Sequence, residues 1–204
     1  MTKFLRPFMW ILFVALLGLG CAETTTVSRM DAEEDAVIDL SGKWNDTDSR
    51  LVSEEMIGDC LSSPWLYRFE ERNQSQPTVI VGNIRNLSHE HISENTFIKD
   101  MERAFINSGK VDVVEGGEIR DQIRQERSDQ QEFAQEETRK AFQQESGADL
   151  MLTGTIDSIV DRVKGTKLVF YQVNLELVDI ETNKKVWIGD KKIKKLVEKG
   201  RSTY

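Results

Sequence analysis

The longest apolar run of the chain lies near its start, Phe8 to Leu19 (FMWILFVALLGL), behind two cations, Lys3 and Arg6, and it closes on the small residues Gly18 and Gly20 before Cys21. It is shorter than the roughly 20 residues that a membrane span needs, so residues 1–20 read as a secretory signal. Residues 21–39 are polar and acidic and carry no apolar period. Glu23, Asp31, Glu33, Glu34, Asp35 and Asp39 face Arg29 alone, the composition of a disordered tether. About 18 such residues reach roughly 60 Å when fully stretched. Residues 40–204 then show the alternations of a single globular domain.

Helical spacing comes first. Val52, Met56 and Cys60, with Leu51, Ile57 and Leu61 alongside, recur behind the turn and cap residues Asn45 to Asp48, which predicts a helix from about Ser49 to Ser62 that stops before Pro64. Trp65, Leu66, Tyr67 and Phe69 add apolar bulk for packing. Pro77 to Gly82 reads as a buried strand, and Asn83 to His91 has loop composition. Ser93 caps a second helix with Phe97, Met101, Ala104 and Phe105 on one side, Ile98 outside the stripe and Gly109 at its C-terminal cap. Val111 to Val114 is a second short strand.

Gly116 and Gly117 open a very polar stretch, Glu118 to Glu145. Ser128 with Gln131 and Asp129 with Glu132 have capping-box spacing, which predicts two helices with a break near Ser128, the second placing Ala134, Thr138, Ala141 and Phe142 on one face. No heptad is sustained, so a coiled coil is disfavoured. The last third alternates with period two. Leu150, Leu152, Gly154, Ile156, Ser158 and Val160 share one face of a strand, and Val169, Tyr171, Val173, Leu175 and Leu177 share one face of the next after a turn at Lys164 to Thr166. A third strand starts at Lys185 after the turn Glu181 to Lys184. The fold class is therefore α/β (α+β): a mixed β-sheet with a C-terminal three-strand antiparallel meander, flanked by about four helices that cover its apolar face.

Charge and cysteines narrow the chemistry. The formal net charge is −8, and loss of residues 1–20 would move it to about −10, which disfavours nucleic acid as a partner. Leu17 to Cys21 resembles a bacterial lipobox, in which the cysteine is lipidated and becomes the first residue after cleavage. Ala22, rather than Asp, follows it, and this points to the periplasmic face of the outer membrane. Cys60 is then left without an internal partner, and a small apolar residue on a buried helix face is the expected role. The lysine-rich end (Lys184, Lys185, Lys191, Lys192, Lys194, Lys195 and Lys199) has two readings: protection of an exposed sheet edge, or attraction to an anionic surface such as peptidoglycan, lipid or an acidic partner.

His89-Glu90-His91 is the only crowd of metal ligands, and a pair of histidines two apart lacks the third and fourth ligands of a zinc site. There is no G-x-S-x-G, P-loop or dinucleotide fingerprint. No catalytic residue, cofactor or metal is assigned, and interaction is the expected trade of the domain.

At DLSGKWNDTDSR (Asp39 to Arg50), INSGK (Ile106 to Lys110) and GADLMLTGTIDSI with LVDIETNKKVW (from Gly147 to Trp187), the chain resembles the penicillin-binding-protein activator lipoproteins, the LpoB family, over about Asp39 to Ile193. The resemblance implies a fold like the N-terminal domain of TolB. It also implies a monomeric outer-membrane lipoprotein that docks on a non-catalytic domain of a bifunctional peptidoglycan synthase, a class A penicillin-binding protein, and stimulates it. Two departures stand out: the tether is short, acidic and free of proline before Pro64, and the family's Asn-Arg-Thr loop reads Asn86-Leu87-Ser88. By position, Arg85 and Asn86 are the implied partner contacts. The alternative is a general periplasmic scaffold that recruits another envelope protein.

Overall fold

In the computed structural model, which describes residues 42–136, 138, 145–163 and 166–198, Asn45 opens the first helix. Its side-chain oxygen accepts from the Asp48 N–H at 2.9 Å, and an Asp48 carboxylate oxygen accepts from the Asn45 N–H at 3.0 Å. This reciprocal cap starts α1 (Asp46–Ser62) three residues ahead of the expected Ser49. Pro64 then begins α2 (Pro64–Asn73), since a proline at the first helical position gives up an N–H that had no partner there anyway. The stretch expected only to supply bulk is thus a helix. Trp65, Leu66 and Phe69 are buried while Tyr67 stays 67% exposed, and the Trp65 indole N–H donates to the Cys60 carbonyl at 2.7 Å, fastening α2 to α1.

Strand β1 runs Thr78–Asn86, through residues expected to be loop. Val81 pairs with Leu152 and Ile84 with Gly154, so Gly82 and Asn83 together oppose Thr153. This bulge inserts one residue and breaks the period of two. Beyond it Ile84 returns to the core, fully buried. Helix α3 (Glu94–Ser108) follows expectation: Ser93 caps its start, Gly109 ends it at φ 63°, and Phe97, Met101 and Phe105 are buried. Strand β2 (Asp112–Val113) pairs parallel to β1.

The expected break at Ser128 is absent. Helix α4 (Gly117–Phe133) continues through it to a C-cap at Ala134, held along its surface by pairs one turn apart such as Gln125 with Asp129 and Glu126 with Gln130. Two capping-box spacings in succession are also what a polar helix surface looks like, and continuation keeps the backbone bonds that a cap would only replace. Ala134 is therefore not on a second helix, Thr138 lies in a turn, and Ala141 and Phe142 fall outside the described residues. Among the described residues there are four helices: α1 and α3 lie where expected, while α2 and the unbroken α4 replace the two helices expected between Glu118 and Glu145.

Strands β3 (Leu150–Val163), β4 (Thr166–Asp179) and β5 (Lys185–Glu198) form the antiparallel meander. The sheet order is β2-β1-β3-β4-β5, with β2, β1 and β3 parallel. Leu152, Ile156, Val169, Tyr171, Val173, Leu175 and Leu177 are buried on one face. Helix α3 lies on β1 and β2, and α1 fits between α3 and β5. At Gly189 the face has no room for a side chain, because a Cβ would sit 2.3 Å from the Trp187 ring. That ring covers the glycine and donates its N–H to Asp59 of α1 at 3.0 Å. Each buried large apolar side chain contributes about 1.5–3 kcal/mol, so this helical layer is firmly attached. On the opposite face, no side chain of β3, β4 or β5 is buried among the described residues. The described residues all belong to one compact unit, Asp39 to Tyr204; the expected signal and tether, residues 1–39, lie outside the described residues.

Candidate interaction site

Where β1 leaves the sheet, Arg85 and Asn86 part company. Arg85 pairs with Thr155 across the ladder and is exposed on the uncovered face. Asn86 is half-buried and fully used. Its backbone N–H donates to a Glu94 carboxylate oxygen at 2.7 Å, its side-chain N–H₂ donates to the Glu90 carbonyl at 2.8 Å, and its side-chain oxygen accepts from the Ser88 N–H and hydroxyl at 3.0 and 2.6 Å. It is the organiser of an Asx turn, and Arg85 is the side chain presented outward.

The same loop pins the start of the domain. One Glu90 carboxylate oxygen accepts from the Trp44 N–H at 3.1 Å and from the Tyr171 hydroxyl at 2.8 Å, and that hydroxyl also lies 3.1 Å from the Gly42 carbonyl. The Trp44 ring meets Phe97 and Tyr171 edge to face at 6.1 and 5.5 Å. Burial, followed by the bond to Glu90, pushes the Tyr171 phenol well above its ordinary range. His89 turns the other way, onto the Ser158 hydroxyl at 3.1 Å, and His91 is exposed. The His-Glu-His run is thus spread over separate tasks. Among the described residues no three His, Cys, Asp or Glu side chains come together as metal ligands.

Beside Arg85, the middle of the uncovered face is polar. Thr155 donates to Asp157 at 2.9 Å, Gln172 donates to Asn174 at 2.8 Å, and the Asn174 amide reaches Asp157 at 3.4 Å. Sequence reasoning missed this cluster because its members are the out-facing positions of strands recognised by their in-facing ones. A cleft of about 300 Å³ at the other end of the sheet is lined by Arg68, Arg72, Lys184 and Lys185 over Trp65 and Phe69. Its one carboxylate, Asp179, is held below the usual range mainly by hydrogen bonds from the Thr182 backbone.

Lysine at the edge is divided in its duties. β5 is an edge strand, and Lys192 and Lys194 are exposed on it. Lys191 pairs with Glu55 of α1. Lys195 points inward, 8% exposed, with its ammonium 2.5 Å from Asp48 and 3.0 Å from the Lys43 carbonyl. It is a core ion pair and no edge guard, which corrects the uniform reading of the lysine run. Cys60 is buried and free, and burial pushes its thiol up to about 12.

Residues 48–193, from the α1 cap to the inner part of β5, match the family model of the peptidoglycan-synthase activator LpoB. The chain belongs to the LpoB family. LpoB proteins are regulators of peptidoglycan synthesis by that description, and the match contains Arg85, Asn86 and the polar cluster. No curated protein sequence matches the chain significantly. Among solved structures, the LpoB C-terminal domain of Escherichia coli is 13% identical, with 72% of this chain and 98% of that chain covered and a TM-score of 0.43. The solution structure of E. coli LpoB is 12% identical over 89% and 87% of the two chains, with a TM-score of 0.42. Lipoprotein GNA1162 of Neisseria meningitidis is 16% identical over 62% and 88%, with a TM-score of 0.40. Membership of the LpoB family rests on the sequence match alone. Among the described residues no helix is long and apolar enough to cross a membrane.

Proposed function

We propose that this LpoB-family protein is a lipid-anchored activator of a class A penicillin-binding protein. Residues 1–20 serve as its signal peptide, Cys21 carries lipid, residues 21–39 form a tether, and residues 40–204 form the binding domain at the periplasmic face of the outer membrane. The observation that carries the reading is the family match over residues 48–193. The protein acts by binding and not by covalent chemistry, and Arg85, exposed beside the polar cluster, is the side chain assigned to the synthase. Asn86 supports it through the turn and makes no direct contact. The test is to mix the purified chain lacking residues 1–21 with a class A synthase and to measure binding and glycan polymerisation. Faster polymerisation is expected, with weaker binding for Arg85→Glu; no binding at micromolar concentrations overturns the reading.

A second reading draws on β5, the last strand of the sheet among the described residues. Such an edge accepts an extended partner segment, as a general envelope scaffold would. Crosslinking in intact cells separates the two by the neighbour it captures.

A further inference from the structure

The uncovered sheet face changes character along its length. Its middle is polar, but at the β3–β4 hairpin end the register sets Ile159 opposite Phe170, Leu168 opposite Leu196, and Val163 at the tip opposite Thr166. Ile159 and Val163 are each 65% exposed and Leu196 61%; Leu168 and Phe170 are half-buried. Directly opposed positions lie about 4.5–5.5 Å apart and diagonal ones about 7–8 Å, so the five side chains form one continuous patch. A contiguous exposed apolar patch marks an interaction site, whereas scattered exposed residues do not.

The make-up of the patch selects its occupant. Protein interfaces are anchored by Trp, Tyr and Arg and are depleted in Lys. Among the described residues this end of the face has no Trp, Tyr or Arg. It has aliphatic residues and one Phe, with Lys194 opposite Phe170 and Lys192 next along β5, where it pairs with Asp190 at 3.0 Å; Asp161, opposite Leu168, and Glu198 are the other described acids on it. Apolar side chains that enter the boundary between headgroups and acyl chains, with lysines that extend to the phosphates, are the composition of a membrane-surface site.

Position agrees with composition. Gly42, the first described residue, lies against this end: a Cβ there would meet Val197 at 2.2 Å and Val169 at 3.8 Å, the chain neighbours of Leu196 and of Leu168 and Phe170. Both valines point to the covered face, so the chain joins the domain at the same end of the sheet as the patch, on the opposite face. The segment from Cys21 to Gly42 spans at most roughly 70 Å, which confines the patch near whatever surface holds Cys21 and raises its effective concentration there.

We infer that this end of the open sheet face docks on an anionic phospholipid surface, with Ile159, Val163, Leu168, Phe170 and Leu196 at the acyl boundary and Lys192 and Lys194 on the phosphates. The location of that surface rests on the lipid-anchor reading above; the binding itself does not. In this state the domain lies on the membrane, and release makes it available to a partner across the periplasm.

The test uses the chain lacking residues 1–21, which has no lipid of its own and retains the compact unit from Asp39 with the entire core. It is sedimented with vesicles of phosphatidylcholine alone and with vesicles in which part of the lipid is phosphatidylglycerol. Binding to the anionic vesicles, weakened by added salt as the charges are screened, is the expected result. Ile159→Asp with Leu196→Asp lowers it by about tenfold or more, because carboxylates replace the inserted groups, and Lys192→Glu with Lys194→Glu removes the preference for phosphatidylglycerol. Unchanged thermal unfolding shows that the variants fold. Synthase stimulation, measured without vesicles, stays intact in both, which separates this inference from the activator reading. Failure to sediment with either vesicle overturns it. So does a double-Asp variant that binds vesicles normally but loses the synthase, which would make the patch a protein interface.

Discussion

Replacing Lys195 with methionine keeps the length and the apolar stem of the side chain and removes only its ammonium group. That group lies 2.5 Å from the Asp48 carboxylate in a pair whose side chains are 8% and 11% exposed. In the variant the carboxylate stays buried with the Asn45 N–H as its remaining described partner, and the Lys43 carbonyl loses its donor. Removing one member of a buried pair costs about 3–5 kcal/mol, out of a total stability of about 5–15 kcal/mol for a domain. At about 2–4 °C per kcal/mol for a chain of this size, the melting temperature should fall by roughly 10 °C. Adding Asp48→Asn removes the stranded charge while keeping an acceptor for the cap. The double variant should therefore recover most of the loss, leaving about 1 kcal/mol for the weakened cap. Urea unfolding followed by circular dichroism on the four proteins of the cycle measures this directly. A Lys195→Met cost below about 1 kcal/mol, or a double variant no better than the single, would show that the pair is solvated and that Lys195 guards the edge like its neighbours.

Other outcomes follow from the same geometry. Cys60 should resist thiol reagents in the native protein and react on unfolding; because its folded thiol is raised from 9.0 to about 12, its contribution to stability is complete below about pH 9 and is lost as pH climbs towards 12, a slope that Cys60→Ala should flatten in urea midpoints. Gly189→Val drives a side chain into the Trp187 ring and puts its bond to Asp59 at risk, so a loss of about 1–3 kcal/mol and a shift in tryptophan fluorescence are expected. Asn86→Ala should lower the melting temperature, since it dismantles the turn, whereas Arg85→Glu should leave it unchanged and weaken synthase binding in a pull-down.

Much of the fold was legible because burial writes itself into period. The in-facing positions of β4 alternate without a break from Val169 to Leu177, and Phe97, Met101 and Phe105 repeat every four residues along α3. What stayed hidden had physical reasons. The bulge at Gly82 and Asn83 shifts the phase in mid-strand, so the second half of β1 looks like loop. Helix α2 is too short to show a period and opens with Pro64, which also serves as a stop signal for α1. Helix α4 buries no residue, and its polar pattern leaves nothing to fix its length. The candidate site was half legible: a loop containing Asn86 was visible, but which neighbour faces outward depends on the register with β3. Nothing local marks Glu90 as the partner of Tyr171, 81 positions away.

The order of strands also sets a timetable for folding. The two hairpins of β3, β4 and β5 close over short turns, whereas β1 must find β3 across a long loop: Thr78 and Asp149, 71 positions apart, are hydrogen-bonded at that junction. Local pairings form fast and distant parallel ones slowly, so the meander should assemble first and wait with the flank of β3 open. Destabilising changes in β4 should then slow folding, while those in β1 should mainly speed unfolding. During this interval the unpaired flank of β3 is open to proteolysis and to pairing with other chains, and the rate at which β1 inserts sets how long that exposure lasts.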